Sequence, residues 1–158
     1  MSSLVIGIDP GVSGAVAILE QEKLVMVFDM PMVEIKVGKA MKRRVSAEML
    51  ADELRLYANA GAVAWIEKVS AMPGQGVSSM FAFGEAYGLA RGVLAGLGVP
   101  CHAVTPMQWK KGMGLNQGKD ASRAKAAQIW PMQAGEFKRV KDDGRAEAAL
   151  IALWGGRQ

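Results

Sequence analysis

The chain has 158 residues, of which 51% are hydrophobic and 22% are charged, and its formal net charge is +4. This length suits one continuous core, so we expect a single domain over residues 1–158. No apolar run approaches the roughly 20 residues of a membrane-spanning helix and the N-terminus lacks a signal-peptide pattern, so the sequence predicts a cytoplasmic protein without a membrane partner.

The first third of the chain predicts three strands joined by short turns, "LVIGID", "GAVAILE" and "KLVMVFDM". Short turns favour antiparallel neighbours, so we expect a meander. The next stretch, "PMVEIKVGKAMKRRV", has weak periodicity and is predicted to be a long loop or an irregular hairpin. Between Ile35 and Ser46 it has no acidic residue, and its basic residues are Lys36, Lys39, Lys42, Arg43 and Arg44.

The middle of the chain predicts a helix, a strand and a second helix. The first helix begins at the capping residue Ser46 and ends at Gly61, and the strand "AVAWIE" closes with Glu67. The second helix, from Ser79 to Gly98, has a glycine at every fourth position, namely Gly84, Gly88, Gly92 and Gly96. Because each glycine costs a helix about 1 kcal/mol relative to alanine, we expect either tight packing on the sheet or a close helix contact across a dimer.

The last third predicts a fifth strand, "VPCHAVTP", and two helices, one from Lys119 to Trp130 and one beginning near Asp142. The only cysteine, Cys101, and the only histidine, His102, lie in that strand, where we expect core or edge roles. A single cysteine excludes an intrachain disulfide and a cysteine-rich zinc site. Strands followed by helices, with one βαβ-like crossover, indicate an α/β fold with a mixed five-stranded sheet flanked by helices.

Carboxylates follow two of the predicted strands. Asp9 and Glu67 each end an apolar strand, and a right-handed crossover through the intervening helix would make these strands parallel neighbours. Both carboxylates would then lie at the carboxyl edge of the sheet, where open sheets bind ligands. Taken alone, Asp9 in "DPG" is typical of a turn, and Glu67 fits a plain strand end equally well.

A second acidic group lies at the start of the last helix. Asp143 and Glu147 are four residues apart and share one helix face. Glu147 interrupts a segment of Ala, Leu, Ile and Trp, which indicates that its side chain faces something charged; helix capping by Asp142 or Asp143 and a surface role for Glu147 are the alternatives.

Clustered carboxylates repel one another unless cations lie between them, and oxygen ligands suit Mg²⁺ or Mn²⁺. Two such ions about 4 Å apart are a known solution for phosphodiester hydrolysis. We therefore predict a two-ion site, with no other cofactor, for which Asp9, Glu67, Asp143 and Glu147 are the candidate catalytic residues and metal ligands.

Basic side chains in the last third of the chain fit such a site. From Thr105 to the C-terminus the chain has ten basic and five acidic residues. A polyanionic substrate would need them, because a carboxylate cluster alone would repel it. An ordinary solvated surface is an equally good explanation for each one alone. The expected phosphate contacts are Lys110, Lys111, Lys119, Arg123 and Lys125.

Taken in order, these motifs resemble the RuvC-type Holliday-junction resolvases of the ribonuclease H-like superfamily, especially their phage-encoded relatives. The resemblance rests on "IGIDPGVSGAVAI", "WIEKV", "VTPMQWKKGMGL", "KDASRAKA" and "KDDGRAEAALIA", which together extend over nearly the whole chain. It implies a ribonuclease H-like fold and a Mg²⁺-dependent crossover junction endodeoxyribonuclease in a bacterial or phage-infected cell. It further implies a homodimer that nicks two strands of a four-way junction, or of other branched DNA.

The same resemblance carries a metal-site role onto Asp9, Glu67, Asp143 and Glu147, and places Lys119 close to the cleaved phosphate. Cellular members of the family differ at two points. Their last acidic pair is spaced by three residues rather than four, so Asp142 is an alternative ligand to Asp143. They also carry an aromatic residue soon after the strand glutamate, in the loop where this chain has Ser70 and Met72.

Two other functions share part of this pattern. A glycine-rich turn like "DPGVSGA" also occurs in sugar kinases and actin-like proteins, which would make the chain a nucleotide-binding phosphotransferase, but those proteins need a second equivalent domain. A non-catalytic nucleic-acid-binding protein on the same scaffold is the other alternative. A ribonuclease would share the same fold.

Overall fold

The computed structural model describes residues 3–116, 118 and 120–158 of the chain. Its strands are β1 Leu4–Asp9, β2 Ala15–Glu20, β3 Lys23–Asp29, β4 Met32–Val37, β5 Ala40–Val45, β6 Val63–Glu67 and β7 Cys101–Val104. Five of them form one mixed sheet in the order β3-β2-β1-β6-β7, and β4 and β5 form a separate two-stranded sheet. The predicted α/β class, the five-stranded mixed sheet and the initial meander are confirmed.

The central strand of the main sheet is β1, which is paired along both edges. It is antiparallel to β2, with Ile6 opposite Ile18, and parallel to β6, with Ile8 opposite Ile66. A parallel pair requires a crossover, and here a helix lies between the two strands along the chain. The predicted parallel relation between the strands that end in Asp9 and Glu67 is therefore confirmed.

Helices cover both faces of the main sheet. Those in the described part of the chain are α1 Ala47–Asn59, α2 Val77–Gly96, α3 Pro106–Gly112, α4 Ala121–Ile129 and α5 Asp143–Gly156. One apolar core contains residues of α3, α4 and α5, and the other contains residues of α1 and α2. The short helix α3 and the 3₁₀ segment Pro131–Phe137 were not predicted. Lys119, where the helix corresponding to α4 was predicted to begin, lies outside the described residues.

The last helix lies unusually close to the central strand. A Cβ atom at Gly7 of β1 would lie 2.0 Å from the carbonyl oxygen of Ala148 and 2.7 Å from the Cβ of Ala152. Only glycine permits this approach, because any larger residue would push α5 away from the sheet. The contact fixes α5 beside the end of β1, where Asp9 lies.

The basic stretch after β3 is a regular hairpin rather than a long loop or an irregular one. All six residues of β4 pair with β5, from Met32 opposite Val45 to Val37 opposite Ala40. Gly38 in the turn has φ 63°, a conformation that favours glycine. The alternation of apolar and polar residues in "VEIKV" is a strand pattern, so the sequence carried a signal for this hairpin.

The glycines of α2 do not pack against the sheet. Ala86, Ala90 and Leu94 are the buried side of this helix. Apart from the adjoining residues and backbone of α2 itself, a Cβ atom on a glycine of the repeat would have no atom of the described residues within 4 Å, and this holds at Gly84, Gly88, Gly92 and Gly96. Tight packing within the chain is thus the wrong explanation for the repeat. Among the residues that the structure describes, no helix is both long enough and apolar enough to cross a membrane.

Candidate metal centre

Three of the four predicted carboxylates meet at one edge of the sheet. Asp9 ends β1, Glu67 ends β6, and Glu147 lies on the second turn of α5. Each offers one carboxylate oxygen, and these oxygens lie within 4.8 Å of one another. The parallel pairing of β1 with β6 brings the first two together, and the close approach of α5 to β1 adds the third.

A second glycine lets the start of α5 reach the cluster. A Cβ atom at Gly144 would lie 2.6 Å from the carbonyl oxygen of Ser13 and 3.2 Å from Oδ2 of Asp9. A side chain there would therefore collide with the turn that follows β1 and crowd the Asp9 carboxylate. The turn that follows β1 can pack against the start of α5 only because residue 144 is a glycine.

The acids of the cluster have too little positive charge around them to balance their own negative charge. Burial raises the pKa of Asp9 well above its ordinary value, and the Glu147 and Glu67 carboxylates raise it further. Burial likewise raises the pKa of Glu67 and the pKa of Glu147. The basic side chain that opposes these shifts is Lys110, whose Nζ lies 3.6 Å from Oε1 of Glu147.

The donor chemistry of this cluster fits a divalent metal ion. Its ligands would be carboxylate oxygens alone, a set that hard cations such as Mg²⁺ and Mn²⁺ prefer. Half-buried carboxylates with raised pKa values repel one another when ionised, and a divalent cation removes that repulsion. The residues present can therefore hold such an ion.

Asp143 lies beside the cluster but is bound to an arginine. Its Oδ1 accepts a hydrogen bond of 3.0 Å from Nε of Arg123, and it is not one of the three residues whose oxygens converge. Its charge still reaches the site, because it raises the pKa of both Asp9 and Glu147. The predicted fourth carboxylate is thus adjacent to the other three and paired with a cation.

Asp142, the alternative ligand, is a structural residue of the helix start. Its side chain is 1% exposed and accepts hydrogen bonds from the backbone N–H of Arg139, at 2.8 Å, and from the Arg139 guanidinium, at 2.9 Å. Burial raises its pKa, but these hydrogen bonds more than compensate and leave the pKa below its ordinary value. Its carboxylate is therefore already neutralised by the protein itself.

Helix α3 brings two further side chains to the cluster. One was not predicted as a site residue, and the other was predicted only as a phosphate contact. Trp109 donates its indole N–H to Oε2 of Glu67 at 2.6 Å, and the next residue, Lys110, pairs with Glu147. A signal was available: "TPMQ" is a capping box with proline at the first helical position, so a helix had to begin directly after β7. Because β7 is parallel to β6, that helix begins at the same edge of the sheet.

The predicted phosphate contacts are only partly gathered around the site. Lys110 and Lys111 line a cavity of about 660 Å³ that also reaches Glu147. Arg123 is committed to other partners, since it pairs with Asp143 and Asp120 and donates to the carbonyl oxygen of Lys138. Lys125 is half-buried on α4, and Lys119 lies outside the described residues.

Comparisons with known proteins agree with this architecture. A stretch of 92 residues, 57% of this chain, is 34% identical to "Holliday junction resolvase MOC1, chloroplastic" of Chlamydomonas reinhardtii, and the match covers 10% of that protein's length. T. thermophilus RuvC in complex with Holliday junction substrate matches over 98% of this chain and 92% of its own, with a TM-score of 0.58 and 17% identity. No family model matches the chain.

A second structure, of Thermus thermophilus RuvC, matches over 98% of this chain and 95% of its own, with a TM-score of 0.52 and 17% identity. The chain therefore has the ribonuclease H-like fold of RuvC, which confirms the predicted fold. The resemblance to RuvC-type resolvases is likewise confirmed by the fold and by the shared stretch of sequence. The chain spans about a tenth of the curated relative that it matches.

Proposed function

We propose that this chain is a single-domain, divalent-metal-dependent endodeoxyribonuclease that resolves Holliday junctions, and other branched DNA, in the cytoplasm of a bacterial or phage-infected cell. The observation that carries the proposal is the convergence of Asp9, Glu67 and Glu147 at the carboxyl edge of the sheet, with raised pKa values and one nearby lysine. Its relatives support the choice of substrate: one is named a Holliday junction resolvase, and another was solved with a junction.

Two Mg²⁺ or Mn²⁺ ions would be held by Asp9, Glu67 and Glu147, with Asp143 as the fourth ligand once Arg123 releases it. When bound, such ions supply the Lewis acidity that activates water and stabilises the leaving oxygen in phosphodiester hydrolysis. The protein's own contribution is to hold these carboxylates close together on two strands and one helix. That arrangement keeps their relative positions fixed before the substrate arrives.

The substrate's phosphates would meet the basic side chains around the cluster. Lys110 and Lys111 line the cavity beside Glu147, and the lysine nearest the cleaved phosphate by family resemblance is Lys119. Lys125 and, once it releases Asp143, Arg123 would extend this surface along α4. The hairpin of β4 and β5 adds a second basic surface, because its lysines and arginines are largely exposed. Together these surfaces suit a substrate with several backbones rather than one duplex.

The active form would be a homodimer, since paired nicks on a symmetric junction need two sites. The candidate interface is the exposed face of α2, where the glycine row leaves room for a second backbone and Val77 and Phe81 are 88% and 67% exposed. We expect Gly88→Leu to shift sedimentation from dimer to monomer, because its side chain meets open space within one chain but would block a partner. Glu53→Leu, on the exposed side of α1, is the control and should leave the dimer intact.

The direct test of the function is cleavage of labelled four-way DNA, duplex, flap and RNA–DNA hybrid, with Mg²⁺ or with EDTA, and with every strand mapped. We expect paired, symmetric and ligatable nicks in the junction that require the metal. Salt-sensitive binding that ignores Mg²⁺ and produces no nicks would instead indicate a non-catalytic DNA-binding protein. Preferential cutting of the hybrid would indicate a ribonuclease.

A further inference from the structure

We propose that Trp109 is a positioning residue for the metal centre: its indole N–H orients the Glu67 carboxylate and thereby sets the affinity of the site for divalent cations. The inference rests on the proposed function, because it assumes that Glu67 is a metal ligand. It assigns a role to a residue that neither contacts the substrate nor carries a charge. It also gives a reason for a fully buried tryptophan beside Lys110, the lysine that pairs with Glu147.

The hydrogen bond is short and its direction is fixed. Trp109 Nε1 lies 2.6 Å from Oε2 of Glu67, and the tryptophan side chain has 0% exposure. An indole has one donor and no acceptor, so the interaction can have only one sense. It engages Oε2 of the carboxylate and makes no demand on Oε1. It also favours the ionised form, because it lowers the pKa of Glu67 against the larger effect of burial.

The donor is held in place from both ends of α3. At the start, Thr105 and Gln108 form a capping box around Pro106. At the end, a Cβ atom at Gly112 would lie 2.3 Å from Nε1 of Trp154, so this end of the helix lies directly against α5. A donor fixed by packing restricts the carboxylate far more than a flexible lysine would.

A second buried tryptophan shows that an indole N–H in this protein can be satisfied without a carboxylate. Trp130 is 5% exposed and donates its indole N–H to the backbone carbonyl oxygen of Glu22 at 2.9 Å. A backbone carbonyl is enough to satisfy a buried indole. Trp109 instead donates to a carboxylate of the cluster across 42 positions of sequence, and hydrogen bonds to ionised acceptors are the shorter and stronger kind.

The pair of tryptophans provides a matched experiment. Trp109→Phe and Trp130→Phe each remove one buried indole N–H bond and a similar volume, so both should lower stability. We expect only Trp109→Phe to weaken Mn²⁺ binding, measured by calorimetry on the metal-free protein, by about 10- to 100-fold. Equal Mn²⁺ affinity in wild type and Trp109→Phe would overturn the inference. If the wild-type protein itself binds no divalent ion, the proposed function fails instead.

Two further measurements keep the inference testable if Trp109→Phe does not fold. Benzothienylalanine at position 109 replaces the indole N–H by sulfur at nearly constant shape, and it should weaken Mn²⁺ binding as phenylalanine does. In the wild-type protein, the indole N–H resonance of Trp109 should shift during a Mg²⁺ titration while that of Trp130 stays unchanged. A benzothienyl variant with wild-type affinity, or an unmoved Trp109 resonance at saturating metal, would contradict it.

Discussion

Two groups of acidic side chains lie near the start of α5, and they differ in how much positive charge the protein places against them. In the first, Asp9, Glu67 and Glu147 converge with one lysine in contact. In the second, Asp142 is enclosed by Arg139, and Arg145 bridges to Asp29 at 2.8 Å. Both groups are built from aspartate or glutamate, and Asp142 of the second lies on the same short stretch of sequence as Glu147 of the first.

Their pKa values differ in direction. Burial and mutual repulsion raise the pKa of Asp9, whereas the hydrogen bonds of Arg139 outweigh burial and lower the pKa of Asp142. An acid that the protein has already paired with arginine stabilises the fold. An acid left without such a partner is destabilising until something from solution binds it, and that difference separates Asp9, Glu67 and Glu147 from Asp142.

The largest effect is expected from removing a carboxylate of the first group. Asp9→Asn should reduce junction nicking by at least about 100-fold, because it removes a ligand at the centre of the cluster. Junction binding should be retained or strengthened, since one negative charge facing the phosphates is lost. Strand-mapped nicking and gel-shift assays measure the two effects, with Asp52→Asn on the exposed surface of α1 as the control. Full nicking by Asp9→Asn would exclude the proposed site.

A change in the second group should lower the free energy of unfolding and leave nicking intact. Asp142→Asn should lower the free energy of unfolding by about 2 kcal/mol, because it replaces charge-assisted hydrogen bonds to Arg139 and leaves part of the helix start unsatisfied. Nicking should persist at temperatures where the variant is folded. Urea unfolding in EDTA and the same nicking assay test this pair of results. Loss of nicking without loss of stability would instead make Asp142 the ligand.

The smallest expected effect is a difference in pH dependence. Since folding raises the pKa of Asp9, Glu67 and Glu147, the metal-free protein should lose stability as the pH rises through those raised values. Asp142 acts in the opposite sense, because its stabilisation is present above the ordinary carboxyl pKa and is lost as the pH falls through the lowered value.

Unfolding free energies measured in EDTA between about pH 2 and pH 8 test both signs. Asp9→Asn should flatten the decline at high pH, and added Mg²⁺ should remove it in the wild-type protein, since the ion binds the folded state. Asp142→Asn should weaken the loss at low pH. A wild-type protein whose metal-free stability rises steadily toward pH 8 would show that the cluster is not under charge repulsion.

Much of this arrangement could be predicted from the sequence, because it depends on local patterns. Asp9 and Glu67 end apolar strands, and Glu147 interrupts an apolar helix, so each stands out by its position. Once the strands were expected to be parallel, their convergence followed from topology. The ribonuclease H-like fold followed from the same order of elements.

The pairing of acids with arginines could not be predicted, because it depends on contacts between distant segments and on the rotation of one helix start. Asp142 and Asp143 are adjacent in sequence, yet one is enclosed by Arg139 and the other is held by Arg123 on α4. A shift of one residue in the start of α5 would exchange them. The direction of the Trp109 indole is likewise set by packing and leaves no trace in the sequence pattern.

The hairpin of β4 and β5 has a consequence for handling the protein. Each of its strands has an open edge, and Val33, Ile35 and Val37 are 41%, 39% and 42% exposed. Such an edge invites pairing with another chain, and interspersed lysine and arginine are what natural sheets use to prevent it. Alanine scanning of this hairpin would therefore promote aggregation as well as weaken any interaction. Charge reversal to glutamate keeps the strands apart and separates the two effects.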